Sequence, residues 1–210
     1  MKIVPAILTD QREDLQTLLN RAEQFAEYVQ IDFMDGSFVP SRSVFPRDLQ
    51  GIATSMACEA HLMVERPDEY LGDLLGFGFR RIVFHWEANT NPESLIGAIK
   101  QQGCEAGIAI NPETDVTHLD RLVSQVDAVL FLSVTPGFYG SAFVPSVLDK
   151  IRRFRQSHPS TVIGIDGGVA LDNLVEIKMV GVSYACVGSR IMLDENPAER
   201  YEEFAERARR

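Results

Sequence analysis

Within 210 residues, short apolar runs and longer segments of helical character alternate eight times, with short connections and no Ser- or Pro-rich linker. No other feature constrains the fold as much. A repeating strand–helix unit requires a parallel sheet with helices over its outer side, because each strand is regained by a crossover. The apolar runs span 3–8, 28–35, 56–64, 81–85, 105–110, 128–134, 162–166 and 185–188, and the predicted helices 10–26, 46–54, 67–75, 92–102, 116–123, 144–156, 171–179 and 197–209. In the first helix Leu15, Leu18, Leu19, Ala22 and Phe25 recur at helical spacing, and Thr9 or Asp10 can cap it. Pro67 stands at a permitted first-turn position, and Asn91 precedes the fourth helix as a cap. Eight units without a topological switch point fit one α/β domain over residues 1–210, a (β/α)8 TIM barrel. A doubly wound open sheet would normally carry GxGxxG after its first strand, and residues 5–10 read PAILTD.

Charge narrows the partners. Lysines and arginines number 20 against 30 acids, a formal net charge of -10. A sequence-independent nucleic-acid binder, or a protein adhering to a membrane surface, needs a basic face, so neither partner is expected. No apolar run approaches the ~20 residues that span a bilayer, and the opening MKIVPAILTDQREDL lacks the form of a signal peptide. Cys58, Cys104 and Cys186 are scattered and read as small buried hydrophobes in a reducing, cytoplasmic compartment.

In a barrel enzyme, chemistry sits at the C-terminal ends of the strands. Polar residues gather there: Gln30, Asp32 and Asp35 on strand two, Glu59 and His61 on strand three, and His85 followed by Glu87 on strand four. Asn111, Ser133, Asp166 and Ser189 end later strands. Side chains two apart in a strand share a face, so Gln30, Asp32 and Met34 point one way, and Ile31 and Phe33 point toward helices. Any one of these could be a satisfied core polar group. Together, Asp32, His61 and Asp166 supply oxygen, nitrogen and oxygen ligands for a divalent metal, and two carboxylates for proton transfer. Three glycine-bearing loops form a second set: Thr135–Gly140 after strand six, Asp166–Gly168 after strand seven, and Gly188–Ser189 after strand eight. Such loops turn backbone N–H groups toward an anion, and barrels commonly hold phosphate after strands seven and eight. A neutral cradle of this kind suits an acidic protein.

The segment Ile31-Asp32-Phe33-Met34-Asp35-Gly36-Ser37-Phe38-Val39-Pro40 resembles the DxMDGxFVP signature of ribulose-phosphate 3-epimerases. Further motifs follow in order: Pro5–Leu8 (PSIL), His61–Val64 (HLM), Phe84–Ala88 (VHxEA), Ser133–Gly140 (SVNPGFGG), Ile165–Val169 (VDGGV) and Val187–Ser189 (GS). The resemblance implies a barrel of the ribulose-phosphate-binding type in a cytoplasmic enzyme. One divalent metal (zinc, iron, manganese or magnesium) would serve the interconversion of ribulose 5-phosphate and xylulose 5-phosphate. Asp32 and Asp166 would be the acid/base pair and metal ligands, and His61 a further ligand beside the substrate. Phosphate would lie on Gly137, Tyr139, Gly140, Gly167, Gly168, Gly188 and Ser189, with Met34 and Met63 lining the pocket.

The chain's departures from the pattern include four positions. Gln30 stands where the family has a metal-binding histidine, and Gln30 takes that ligand position here. Ala6 replaces the serine of PSIL, Ser41 the asparagine after FVP, and Tyr139 the second glycine of GFGG. These changes leave two alternatives: an epimerase for another ketose phosphate such as a hexulose 6-phosphate, and a catalytically impaired phosphosugar-binding protein. An aldolase or decarboxylase with a DxKxxD strand would need a lysine that residues 30–36 lack. The family often assembles through barrel faces, so a homo-oligomer is compatible with the resemblance.

Overall fold

The computed structural model describes residues 1–137 and 141–210 of the chain. Eight parallel strands close into a barrel in sequential order. They are β1 (Lys2–Ile7), β2 (Tyr28–Met34), β3 (Ala57–Met63), β4 (Arg81–His85), β5 (Glu105–Ile110), β6 (Ala128–Leu132), β7 (Ile163–Asp166) and β8 (Tyr184–Val187). β8 pairs with β1, so no strand edge is left open. The α-helices are α1 (Arg12–Ala22), α2 (Leu71–Phe77), α3 (Pro92–Gln101), α4 (Ser146–Ser157), α5 (Leu174–Met179), α6 (Ser189–Met192) and α7 (Pro197–Arg209).

The alternation of side chains divides the apolar residues into two cores. Ile31, Phe33, Leu62, Phe84, Ile108, Phe131 and Ile165 face outward into a large buried cluster with α1, α3, α4, α5 and α7. Val4, Ala6, Val83, Ala109, Leu130, Leu132, Tyr184 and Cys186 face inward and fill the barrel. Gln30, Asp32 and Met34 are buried on the inner face and Ile31 and Phe33 on the outer, as the spacing on strand two requires.

Several helices differ from the sequence pattern. The first is shorter than expected and begins after Gln11, which makes no side-chain cap bond; the Thr9 hydroxyl instead accepts the Gln11 N–H at 3.1 Å. The crossings after β2 and β5 carry only 3-10 turns, Pro46–Leu49 and Val116–Leu119, rather than α-helices. In the first, Asp48 accepts the Phe45 N–H at 2.8 Å, a capping contact that fixes a tight turn. The segment from Pro67 also opens as a 3-10 turn before α2 begins. α6, which starts at Ser189, was not expected. Asn91 does cap α3, accepting the Ser94 N–H at 2.9 Å.

At the N-terminal end the barrel is plugged. Glu59 is fully buried and accepts from Arg81 Nη1 at 2.9 Å, and Arg81 Nη2 donates to Glu105 at 2.6 Å. The Arg81 guanidinium lies 5.5 Å from the centre of the Tyr184 ring. Gly164 makes room for that ring: a Cβ there would stand 2.4 Å from Tyr184 Cζ and 2.8 Å from Leu130 Cδ1. Gly164→Ala is therefore expected to destabilise the barrel by ~1–3 kcal/mol through overpacking. That loss corresponds to a fall in melting temperature of roughly 2–12 °C for a chain of this size, measurable by thermal unfolding.

Candidate active site

The parallel register brings the inward polar residues to one level. Asp32 stands beside His61 across the β2–β3 pair, Gln30 beside Ala6 of β1, and Asp166 beside Cys186 of β8. Asp32, His61 and Asp166 offer one ligand atom each, all within 4.8 Å of one another. His61 Nδ1 is 3.0 Å from Asp32 Oδ1 and 3.4 Å from Asp166 Oδ2. Gln30 Nε2 donates to both carboxylates, at 2.8 Å each, and lies 3.5 Å from His61 Nδ1. The sequence-derived trio and Gln30 thus converge in one cluster, almost withdrawn from solvent.

Burial and charge set its protonation. Burial raises Asp32 above the usual carboxylate range, and the neighbouring Asp166 adds to that, against lowering by His61 and Gln30. For His61, burial acts downward, but hydrogen bonds and attraction to Asp166 and Asp32 outweigh it and carry the imidazole up to about 10. His85 moves the other way, to about 4, because burial and the nearby His61 charge exceed the help of Glu87. Burial raises Glu87, yet hydrogen bonds from His85, Thr114 and the Asn111 backbone bring it down to about 2.

The cavity above the cluster is lined by Ala6, Met34, Met63, Gly137, Gly167, Gly168, Gly188 and Ser189, together with Asp32 and Asp166. Met34 and Met63 pack with Val39 as an apolar wall. Gly168 has φ +64°, and a Cβ there would meet the Phe143 backbone at 2.9 Å, so the loop needs glycine for both conformation and approach. Ser133, fully buried, has its hydroxyl 2.9 Å from the Asp166 carbonyl oxygen and 2.6 Å from that of Gly167, which fixes the end of β7. Tyr139 and Gly140 lie outside the described residues. Ser41 lines an adjoining cavity with Met34 and Gly137.

Other polar candidates have structural duties. Asp35 accepts backbone N–H groups of Ser37, Phe38 and Glu65 at 2.8, 2.9 and 2.7 Å and so ties the loop after β2 to that after β3. Glu59 stays with Arg81 at the barrel floor. Two residues escaped the sequence reading. Cys186, taken there as a plain hydrophobe, turns its thiol into the barrel, 2.9 Å from Gln30 Oε1. The signal was available: Cys186 shares the inward face with Tyr184, two residues before Gly188. Arg190 is exposed and lines the cavity beside Gly188 and Ser189, so the cradle is not wholly neutral.

A closed parallel barrel with titratable side chains collected at its C-terminal strand ends is the architecture of a (β/α)8-barrel enzyme, and this chain is one. The sequence profile of the Ribulose-phosphate 3 epimerase family matches residues 2–192, and the chain belongs to that family of carbohydrate isomerases. It is 34% identical over 173 residues to ribulose-phosphate 3-epimerase of Escherichia coli K12, covering 79% of this chain and 77% of that one. It is 37% identical over 176 residues to ribulose-phosphate 3-epimerase 1 of Cupriavidus necator, covering 79% and 73%. Among solved structures, 3-hexulose-6-phosphate synthase of Salmonella typhimurium superposes with a TM-score of 0.73 at 13% identity, covering 99% and 98%, a likeness of fold. Among the described residues, no helix is long and apolar enough to cross a membrane.

Nitrogen-15 NMR of the metal-free protein checks the protonation pattern. His61 is expected to keep its proton until about pH 10 and His85 to remain neutral down to about pH 4. A His61 transition near its ordinary 6.5 would contradict the ion-paired cluster.

Proposed function

We propose that this chain, a single domain over residues 1–210, is a cytoplasmic, metal-dependent epimerase that inverts C3 of a ketose phosphate, most simply ribulose 5-phosphate to xylulose 5-phosphate. The observation that carries this reading is the convergence of Asp32 and Asp166 on a single amide nitrogen and a single imidazole nitrogen. Two carboxyl groups from different strands, beside one cavity, suit proton transfer at opposite faces of one carbon.

The donor set fits a divalent cation. Ligand bonds of ~2.1 Å separate neighbouring donors by ~3.0–3.4 Å, and the two His61–carboxylate distances, 3.0 and 3.4 Å, fall in that interval. Asp32, His61 and Asp166 would hold the ion, which when bound polarises the C2 carbonyl and neutralises charge gathering on its oxygen. Gln30 has two orientations for its amide. With Nε2 inward it bridges the carboxylates; turned over, it offers Oε1 as a further donor and its NH2 group to the Cys186 sulfur.

In the forward step an ionised aspartate accepts the C3 proton. The C–H electron pair moves into a C2–C3 double bond, and the carbonyl π pair moves onto the C2 oxygen. The other aspartate, protonated, returns a proton to the opposite face of C3, and the double bond reverts to the carbonyl. Met34 and Met63 form the apolar wall of the cavity, while Gly137, Tyr139, Gly140, Gly167, Gly168, Gly188 and Ser189 supply the phosphate cradle.

Steady-state epimerisation of ribulose 5-phosphate, with and without manganese, tests this. Asp32→Asn and Asp166→Asn are each expected to lower kcat by ~10²–10⁴. Gln30→His should tighten the metal and raise turnover. If the parent and Gln30→His are both as inactive as Asp166→Asn at every metal concentration, the reading is wrong for that substrate, and a hexulose 6-phosphate becomes the next assay. Gly188→Asp should abolish binding of the sugar phosphate by setting a carboxylate in the anion cradle; unchanged affinity would refute that part.

A further inference from the structure

Behind His61, away from the cavity, stands a second line of polar groups that touches no part of the cavity. His61 Nε2 lies 3.0 Å from His85 Nε2, and both rings are fully buried. His85 Nδ1 lies 3.4 Å from Glu87 Oε2. The other oxygen of Glu87 accepts from the Asn111 backbone N–H at 2.9 Å and from the Thr114 hydroxyl at 2.5 Å. That loop is itself pinned: Lys150 Nζ, on α4, donates to the carbonyl oxygens of Asn111, Pro112 and Thr114 at 2.9, 2.6 and 2.7 Å. Neither His85 nor Glu87 lines the cavity.

Hydrogen-bond polarity runs one way along this line. A carboxylate only accepts, so the proton of neutral His85 sits on Nδ1 and its Nε2 is a lone pair. Across a 3.0 Å gap, facing nitrogens need one proton between them, which His61 Nε2 must then supply. Left to Asp32 and Asp166 alone, a neutral His61 would keep its proton on Nδ1, facing the carboxylates, and would have no lone pair to offer there. We propose that Glu87, acting through His85, fixes the tautomer of His61 with its proton on Nε2, so that Nδ1 is free to hold the cation, and that Lys150 secures the loop that holds Glu87. Glu87 and His85 are positioning residues in this account, which rests on the metal reading above. A buried partner on the second nitrogen of a ligating imidazole commonly changes metal affinity by ~10–100-fold.

Glu87→Gln is the informative substitution. Its amide oxygen must meet the Asn111 N–H, a backbone donor that cannot move aside, so its NH2 group faces His85. The line then reverses, His85 donates from Nε2, and His61 keeps its proton on Nδ1. Zinc and manganese titrations of the chelator-stripped protein by calorimetry should show affinity lower by ~10–100-fold. Long-range nitrogen-15 NMR of the metal-free protein, with His61 neutral, should show the His85 proton on Nδ1 in the parent and on Nε2 in the variant. Affinity within twofold of the parent overturns the proposal. So does weaker binding with the His85 proton still on Nδ1, since loss of a distant charge would explain that alone. Should Glu87→Gln fail to fold, Thr114→Val decides. It keeps the carboxylate, removes one of its two anchors, and should weaken zinc by ~2–10-fold, the worth of one hydrogen bond. No change there, or a parent whose His85 carries its proton on Nε2, overturns the relay. A parent that takes up neither ion overturns the metal reading itself, and the relay falls with it.

Discussion

Closing the sheet removes water from its inner face, and every polar side chain directed inward must then be satisfied by another. The cluster of Gln30, Asp32, His61 and Asp166 is the main consequence. Two carboxylates this close repel, and a low local dielectric magnifies the repulsion. The imidazolium of His61 and the amide NH2 of Gln30 offset it, each serving both acids. A divalent cation would answer the same repulsion with more charge at nearly the same point. The geometry that holds the metal-free barrel together is thus also a geometry suited to a metal.

The two ends of the barrel treat buried charge differently. At the N-terminal end, Glu59, Arg81 and Glu105 neutralise one another under the Tyr184 ring, and Gly164 gives up its side chain to let them close. That end is filled by side chains. At the C-terminal end, glycines at 137, 167 and 168 hold positive φ and bring backbone close without side chains. Space remains there because nothing fills it, and Asp32 and Asp166 keep a small exposure toward it. The chemical direction of the molecule comes from this difference in packing between identical strand ends.

Gln30 links the cluster to β8 through the Cys186 thiol. Its amide, donor on one side and acceptor on the other, can face the acids with either atom, which the family histidine cannot do. The histidine–histidine–glutamate line approaches from the opposite side of His61. Gln30 and His61 therefore have their orientations set from behind, and the loop after β5, far from the cavity in sequence, takes part through Lys150 and Glu87.

Much of this was legible in the sequence. The eightfold alternation required a parallel sheet and fitted a closed barrel, and the period of two on strand two separated Gln30, Asp32 and Met34 from Ile31 and Phe33 before any contact was known. Those are local rules of backbone geometry, and composition at each position expresses them directly. The helical crossings after β2 and β5 were misjudged, because their apolar spacing fits a helix or a packed turn equally well and only the distance to be spanned decides. The partner of Cys186, the association of Glu59 with Arg81 rather than with the upper cluster, and the approach of His85 to His61 were likewise closed to sequence alone. They depend on which strands become neighbours when the barrel shuts and on how far along each strand the register falls. Residues distant in the chain acquire partners only then, and hydrogen-bond polarity, unlike residue type, exists only between partners.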